Sequence, residues 1–262
     1  MRSVGFKSSL YLSYLIRSGI RQFTLYLLLI MSGLSGLLYS QTTHRSEAWL
    51  GYITSYRLNE KWGIWNDFHY VGQTFFVSRH GLTYFAQRNL EISGGYAYVA
   101  TSLPGGTRIE RPENRIWGQV ETRITLNRRW IIRARYRHDA RFRQAIDQGQ
   151  LLNEKVLSMR YRFLVGLRYK VIRFDSGRSI HANVLNEFLL HSGSAIQTGV
   201  IDQNRTYLLA GFTLKRMTLM VGYHNRLLPN IQTGNLSVRH GLTLWGVQSF
   251  GWKADKVFIP LD

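Results

Sequence analysis

Arginine recurs at every second position through the middle of the chain. Arg133, Arg135 and Arg137 are followed at the same spacing by Asp139, Arg141 and Arg143, and Arg160, Arg162 and Arg168 repeat the pattern further on. Arg123 stands two residues after Glu121 in the stretch before them. A guanidinium is permanently charged and carries five donors, so a row of them on one surface concentrates anions and repels cations. In a confined lumen such a row makes an anion-attracting passage. In a filled one it pairs with carboxylates, here Glu121, Asp139 and Glu187 with Asp67 and Glu91, as a packed polar core.

Other chemistries are less well provided for. His138, His181, His224, His240, Ser93 and Ser237 are residue types a lipid hydrolase would use, but no nucleophile elbow or other spaced motif links them. His138 and Asp139 are neighbours and point to opposite faces of an extended strand, which spoils that pair. His69 with His80, or His138 with His181, lack the spacing that presents three ligands to one ion. The chain contains no cysteine, which removes disulfides and Cys-based metal or redox sites. It therefore reads as a non-enzyme with no catalytic residue, cofactor or metal. Arg108, Arg111 and Arg115 alternate with Glu110 and Glu113 as in a self-paired solvated loop; the sharper alternative is contact with lipopolysaccharide phosphates.

Strands put these arginines on one side. Across 130–143, Trp130, Ile132, Ala134, Tyr136 and His138 share one face, and Arg133, Arg135, Arg137 and Asp139 share the other. A helix would spread the arginines all round. Ile116, Gly118, Val120, Thr122, Ile124 and Leu126 alternate in the same way with Trp117, Gln119, Glu121, Arg123 and Thr125. Asn127, Arg128 and Arg129 form a hairpin-sized connection. That hairpin sets Glu121 across from Arg135, as an ion pair, and Arg123 across from Arg133. Over 157–170, Leu157, Met159, Tyr161, Phe163, Val165, Leu167 and Tyr169 oppose Arg160, Arg162, Arg168 and Lys170. Further strands are read at 47–58, 62–74, 79–85, 90–101, 180–190, 205–214, 218–228 and 236–250.

The chain has 262 residues and a net charge of +19. Its start has the order of a secretory signal peptide: Arg2, Lys7, Arg17 and Arg21, then the apolar run 24–38, then a small residue. Fifteen apolar residues are too few for a spanning helix. Cleavage after Ser40 is expected, leaving a chain that is still strongly basic outside the cytoplasm. Nucleic acid is thereby disfavoured as a partner, and lipid A phosphates, anionic glycans and small anions are favoured.

Connections alternate between short (59–61, 86–89, 127–129, 174–179, 215–217) and long (102–114, 144–156, 191–204, 229–235). Long strands, no disulfides, Trp62, Trp130 and Tyr169 beside short turns, and this loop asymmetry favour an all-β transmembrane antiparallel up-and-down β-barrel over a soluble sandwich. Closure satisfies every backbone group where no water is available. Eleven strands are counted, but bacterial single-chain barrels are usually even. Ten to twelve are therefore expected, with twelve favoured. A missed or split strand, or residues 41–46 threading the lumen, would restore parity. The barrel is assigned to 41–250 and a C-terminal tail to 251–262.

Several segments, in order, carry a family resemblance: Glu47 and Trp49 with LNEKWGIW, RHGLTY at 79–84, GGYAY at 94–98, ENRIWGQ at 113–119, RARYRHDARF at 133–142, RYRFLVGLRY at 160–169, and NEF and NR at 186–188 and 204–205. Together they resemble the domain of unknown function 2490 family, predicted outer-membrane barrels common in Bacteroidota. The resemblance covers nearly all of the chain after residue 40. It implies the fold and supplies no catalytic residue.

The function expected is that of a bacterial outer-membrane, porin-like barrel. Its lumen, lined by Arg123, Arg133, Arg135, Arg137, Arg160, Arg162 and Arg168 with Glu121, Asp139 and Glu187 as counter-charges, passes or binds small anions. The alternative is a closed accessory barrel docking onto a larger envelope complex, and a minor one is a lipid-modifying enzyme. The partners implied are outer-membrane lipid including lipopolysaccharide, the barrel-insertion machinery and an envelope protein complex.

Overall fold

The computed structural model describes residues 41–103, 108–174, 177–194, 196 and 198–251; the expected signal peptide (1–40) and the tail from 252 onward lie outside them. The described residues form eleven strands: β1 (Gln41–Arg57), β2 (Trp62–Val71), β3 (Phe75–Gln87), β4 (Leu90–Ser102), β5 (Ile109–Thr125), β6 (Trp130–Asp147), β7 (Gln150–Arg173), β8 (Ser179–Ser192), β9 (Ile201–Leu214), β10 (Met217–Asn230) and β11 (Asn235–Gly251). Each pairs antiparallel with the next, and β1 closes the barrel against β11.

That seam corrects the favoured count of twelve. An odd number of alternating strands leaves the first and last running the same way, so they can only meet in parallel. β1 and β11 do so over their whole length, from Gln41↔Asn235 to Arg57↔Gly251. Residues 41–46 are thus the start of a wall strand and do not thread the lumen.

We call the two rims the amino end, where β1 begins, and the carboxyl end, where β11 stops. At the carboxyl end the intervals between strands are 58–61, 88–89, 126–129, 174–178 and 215–216. At the amino end they are 72–74, 103–108, 148–149, 193–200 and 231–234. The long loop expected at 144–156 is instead an extended hairpin. Gln148 (φ 45°) and Gly149 (φ 81°) take the two left-handed positions of a primed turn, which matches strand twist and lets β6 and β7 run on past the rim.

Burial inverts the soluble pattern. Leu82, Ile116, Leu208, Val221, Leu242 and Leu244 face outward and are half or more exposed, whereas Arg137, Asp139, Glu113 and Glu187 are buried. An apolar outer wall around a charged interior is the solution for a barrel solvated by lipid, not by water. At the carboxyl end Trp130 packs on Tyr169 with ring centroids 4.5 Å apart, and Arg129 donates to the Tyr169 hydroxyl at 2.8 Å. Aromatic rings with one polar edge suit an interface between lipid and water.

Candidate functional site

The pairing of β5 with β6 sets Glu121 opposite Arg135 and Arg123 opposite Arg133, the register read from the hairpin. Ion pairing extends beyond that register. Glu121 is held by Arg133 and by Arg123 at 2.9 Å, while Arg135 reaches across β7 to Glu187 at 2.7 Å. Inward side chains on a curved wall converge, and a guanidinium is long enough to choose a partner diagonally or two strands away.

Carboxylates act as hubs for this wall. Glu187, from β8, accepts from Arg135, from Arg162 Nε at 2.9 Å and from Arg205 at 3.4 Å. Glu113, from β5, gathers Arg115 (2.5 Å), Arg141 (2.6 Å) and Arg143 (2.8 Å). Asp202 takes Arg160 at 2.7 Å, and Asp67 takes Arg79 and His69. Asp139 is fully buried and neither of its oxygens makes a hydrogen bond; it sits among Arg162, Arg115, Arg137 and Arg79. Arg168 donates to Asn183 at 2.9 Å and forms no ion pair among the described residues. All seven predicted arginines therefore point into the lumen, but they divide between its levels.

The opposite wall was not anticipated as a barrier. Trp49, Ile53, Trp65, Met220, Trp245 and Val247 from β1, β2, β10 and β11 are buried inside the barrel and meet Trp117, Leu164, Leu185, Tyr207 and Leu209 from the other side. The Trp49 indole donates to His69 Nδ1 at 2.9 Å and meets Tyr207 and Trp245 edge-on. Trp65 and Trp117 stand at 5.0 Å, with the Arg137 guanidinium about 5 Å from both rings. Space for Trp117 exists because β3 carries Gly81 beneath it: a Cβ there would lie 2.7 Å from the indole and 2.5 Å from the Gly94 carbonyl oxygen. The signal for this plug was present, since Trp49, Trp65 and Trp245 stand at inward positions of their strands.

Among the described residues, one cavity lies on each side of the plug, and the two share no lining residue. The amino-end vestibule has a volume of about 920 Å³, and eleven arginines line it, from Arg45 on β1 round to Arg239 on β11, against the carboxylates Glu47 and Asp202. Trp49, Tyr207 and Phe75 form part of its floor. Arg205 and Arg226 lie 5.3 and 5.5 Å from the Trp49 ring, and Arg226 is tied to Glu47 at 2.8 Å. At the carboxyl end a cavity of about 220 Å³ is lined by Arg123, Arg133, Arg168 and Lys170.

The hydrolase-type residues are dispersed. His138 points outward and stacks on Tyr161, and Ser93 bonds the Thr83 hydroxyl. His224 bridges Glu47 (3.1 Å) and the Thr243 hydroxyl (2.9 Å), which has the connectivity of a proton relay. Thr243, however, is fully buried and lines neither cavity.

A closed barrel with an apolar outer wall and a charged lumen has the architecture of a transmembrane β-barrel. Within that class, the family model described as "Protein of unknown function (DUF2490)" matches residues 46–236, from within β1 to the start of β11, and the chain belongs to this family. No protein of curated function matches the chain in sequence. Among solved structures, one titled "Bacterial polysaccharide outer membrane secretin" is similar with a TM-score of 0.48 and 9% identity over 71% of this chain. The match spans 63% of that protein's chain, less than two thirds of its length.

Proposed function

We propose that the protein is a bacterial outer-membrane barrel that does not conduct, and whose vestibule binds a polyanion. The observation that carries this reading is the vestibule's charge above a floor of packed rings. Guanidinium groups outnumber carboxylates there even when Glu113, Glu187, Asp67 and Asp139 behind the lining are counted. Conduction needs a continuous wet path. Between the two cavities lie Leu164, Glu187 and Leu189 on one side and Ile53, Met220 and Trp245 on the other, each at most 1% exposed. A passage for anions, the first expectation from the arginine row, is thereby the weaker half of that reading, and binding is the stronger.

The ligand class follows from where the charge stands. Arg45, Arg111, Arg143, Arg160, Arg226 and Arg239 come from β1, β5, β6, β7, β10 and β11, so a ligand with several phosphate, sulfate or carboxylate groups reaches opposite walls at once. A volume of about 920 Å³ sits in the range of small-molecule pockets, about 300–1,000 Å³. The role is recognition without catalysis. The carboxyl-end connections are shorter on average, which supports a periplasmic carboxyl end and a vestibule facing outward, next to lipopolysaccharide. The insertion machinery would assemble the barrel, and its rims would meet any envelope complex.

The test is planar-bilayer recording together with titration of inositol hexakisphosphate as a generic polyanion. Silence across many insertions, with saturable binding that weakens as salt rises, is the expected result. Steady anion-selective current from the unmodified protein would overturn it.

A further inference from the structure

We infer that the carboxyl-end cavity is a second, independent site, for a single tetrahedral oxyanion of the phosphate type. It goes beyond the vestibule reading and does not depend on it.

Arg123, Arg133, Arg168 and Lys170 converge on this cavity from β5, β6 and β7, and no carboxylate lines it. Elsewhere in the lumen arginines gather round a carboxylate. Here the nearest, Glu121 and Glu91, stand behind the lining, and Glu121 accepts from Arg123 and from one nitrogen of Arg133. Arg133 is 96% buried, yet its Nε and Nη1 make no hydrogen bond. Two buried donors on a charged group need acceptors, and leaving them unmet costs more than an ordinary lost hydrogen bond. Among the described residues Arg168 donates through its Nε to Asn183, and Lys170 meets no carboxylate. The hydroxyl-bearing residues Ser179 and Thr213 complete the lining.

A tetrahedral oxyanion supplies what this set lacks. Its oxygens accept from guanidinium forks on two walls, its charge offsets the surplus cations, and the two hydroxyls can donate to a further oxygen. About 220 Å³ admits one such group and excludes the larger polyanion assigned to the vestibule. The same chemistry arrives either as free phosphate or as the phosphate monoester of a lipid headgroup.

The experiment uses the protein purified from membranes in an uncharged detergent, with folding checked by heat-dependent gel mobility. Inorganic phosphate is titrated calorimetrically. With inositol hexakisphosphate present at saturation to occupy the vestibule, one-to-one binding is expected, weakened roughly tenfold or more in Arg168→Gln and in Lys170→Gln and unchanged in Lys155→Gln, an exposed residue that lines neither cavity. Dioctanoyl phosphatidic acid separates the sources. Tighter binding than phosphate, also lost in Arg168→Gln, assigns the site to a headgroup, and phosphate binding alone assigns it to the free ion. Failure of phosphate to saturate, or a loss that follows Lys155→Gln and ignores Arg168→Gln, overturns the site and leaves the vestibule reading standing.

Discussion

The two halves of the barrel wall use one alternation for opposite purposes. From β5 to β9 the inward positions carry Arg115, Arg123, Arg133, Arg135, Arg141 and Arg162 knotted to Glu113, Glu121 and Glu187. From β10 through the seam to β2 they carry Met220, Trp245, Val247, Trp49, Ile53 and Trp65. Barrels of about eight strands fill themselves with side chains and those of about sixteen stay open. Eleven strands lie between these limits, and here one wall supplies most of the arginine–carboxylate clusters while the other supplies three of the four tryptophans that close the lumen. They meet where rings lie near guanidinium groups: Trp65 at Arg137, and Trp49 at Arg205.

The strongest way to break the comparison is at the charged wall. Glu187→Gln removes the carboxylate on which Arg135, Arg162 and Arg205 converge, with all four residues at most 6% exposed. Removing one partner of a buried charge cluster costs about 3–5 kcal/mol, because the remaining charges stay buried. Urea unfolding of the detergent-solubilised barrel should show a loss of that size. A loss below about 1 kcal/mol would mean that this wall behaves as exposed surface pairs do.

The closing wall gives a smaller effect with a different signature. Gly81→Ala places a methyl against Trp117 and the Gly94 carbonyl. Overpacking of that kind costs about 1–3 kcal/mol. Near-ultraviolet circular dichroism should change with it, since Trp117 stands edge-on to Trp65. Stability equal to that of the unmodified protein, with an unchanged tryptophan signal, would show that the ring pair does not set the plug.

The difference between the walls also decides what could be read from sequence. Period-two alternation over 130–143 and 157–170 fixes which residues face inward, because a strand has only two faces, and a three-residue hairpin fixes the β5–β6 register. Partner choice is not local. Arg135 lies opposite Glu121 in that register yet bonds Glu187 on β8, a separation that exists only once β7 has curved between them. The plug was hidden for the same reason. Trp49, Trp65 and Trp245 are inward by parity, but whether rings from separate strands meet depends on barrel radius and stagger. The parallel seam carries no local signature, and the usual even count argued against it. The hairpin at 148–149 was missed because polar residues from 144 to 156 resemble a loop by composition.

The least disruptive test separates charge from support within the charged wall itself. Arg143 stands at the vestibule rim, its side chain 26% exposed, and bonds Glu113 alongside Arg115 and Arg141. Two guanidinium groups remain on Glu113 when it is lost, so Arg143→Gln should cost at most about 1 kcal/mol of stability. The same change removes one positive charge from the entrance, and polyanion binding should weaken several-fold and become less steep in its dependence on salt. Unfolding and inositol hexakisphosphate titration on the same sample read both quantities. If stability falls and binding does not, the rim arginines belong to the scaffold that holds Glu113, and the ligand-binding surface of the vestibule lies deeper, at Arg205 and Arg226 over Trp49.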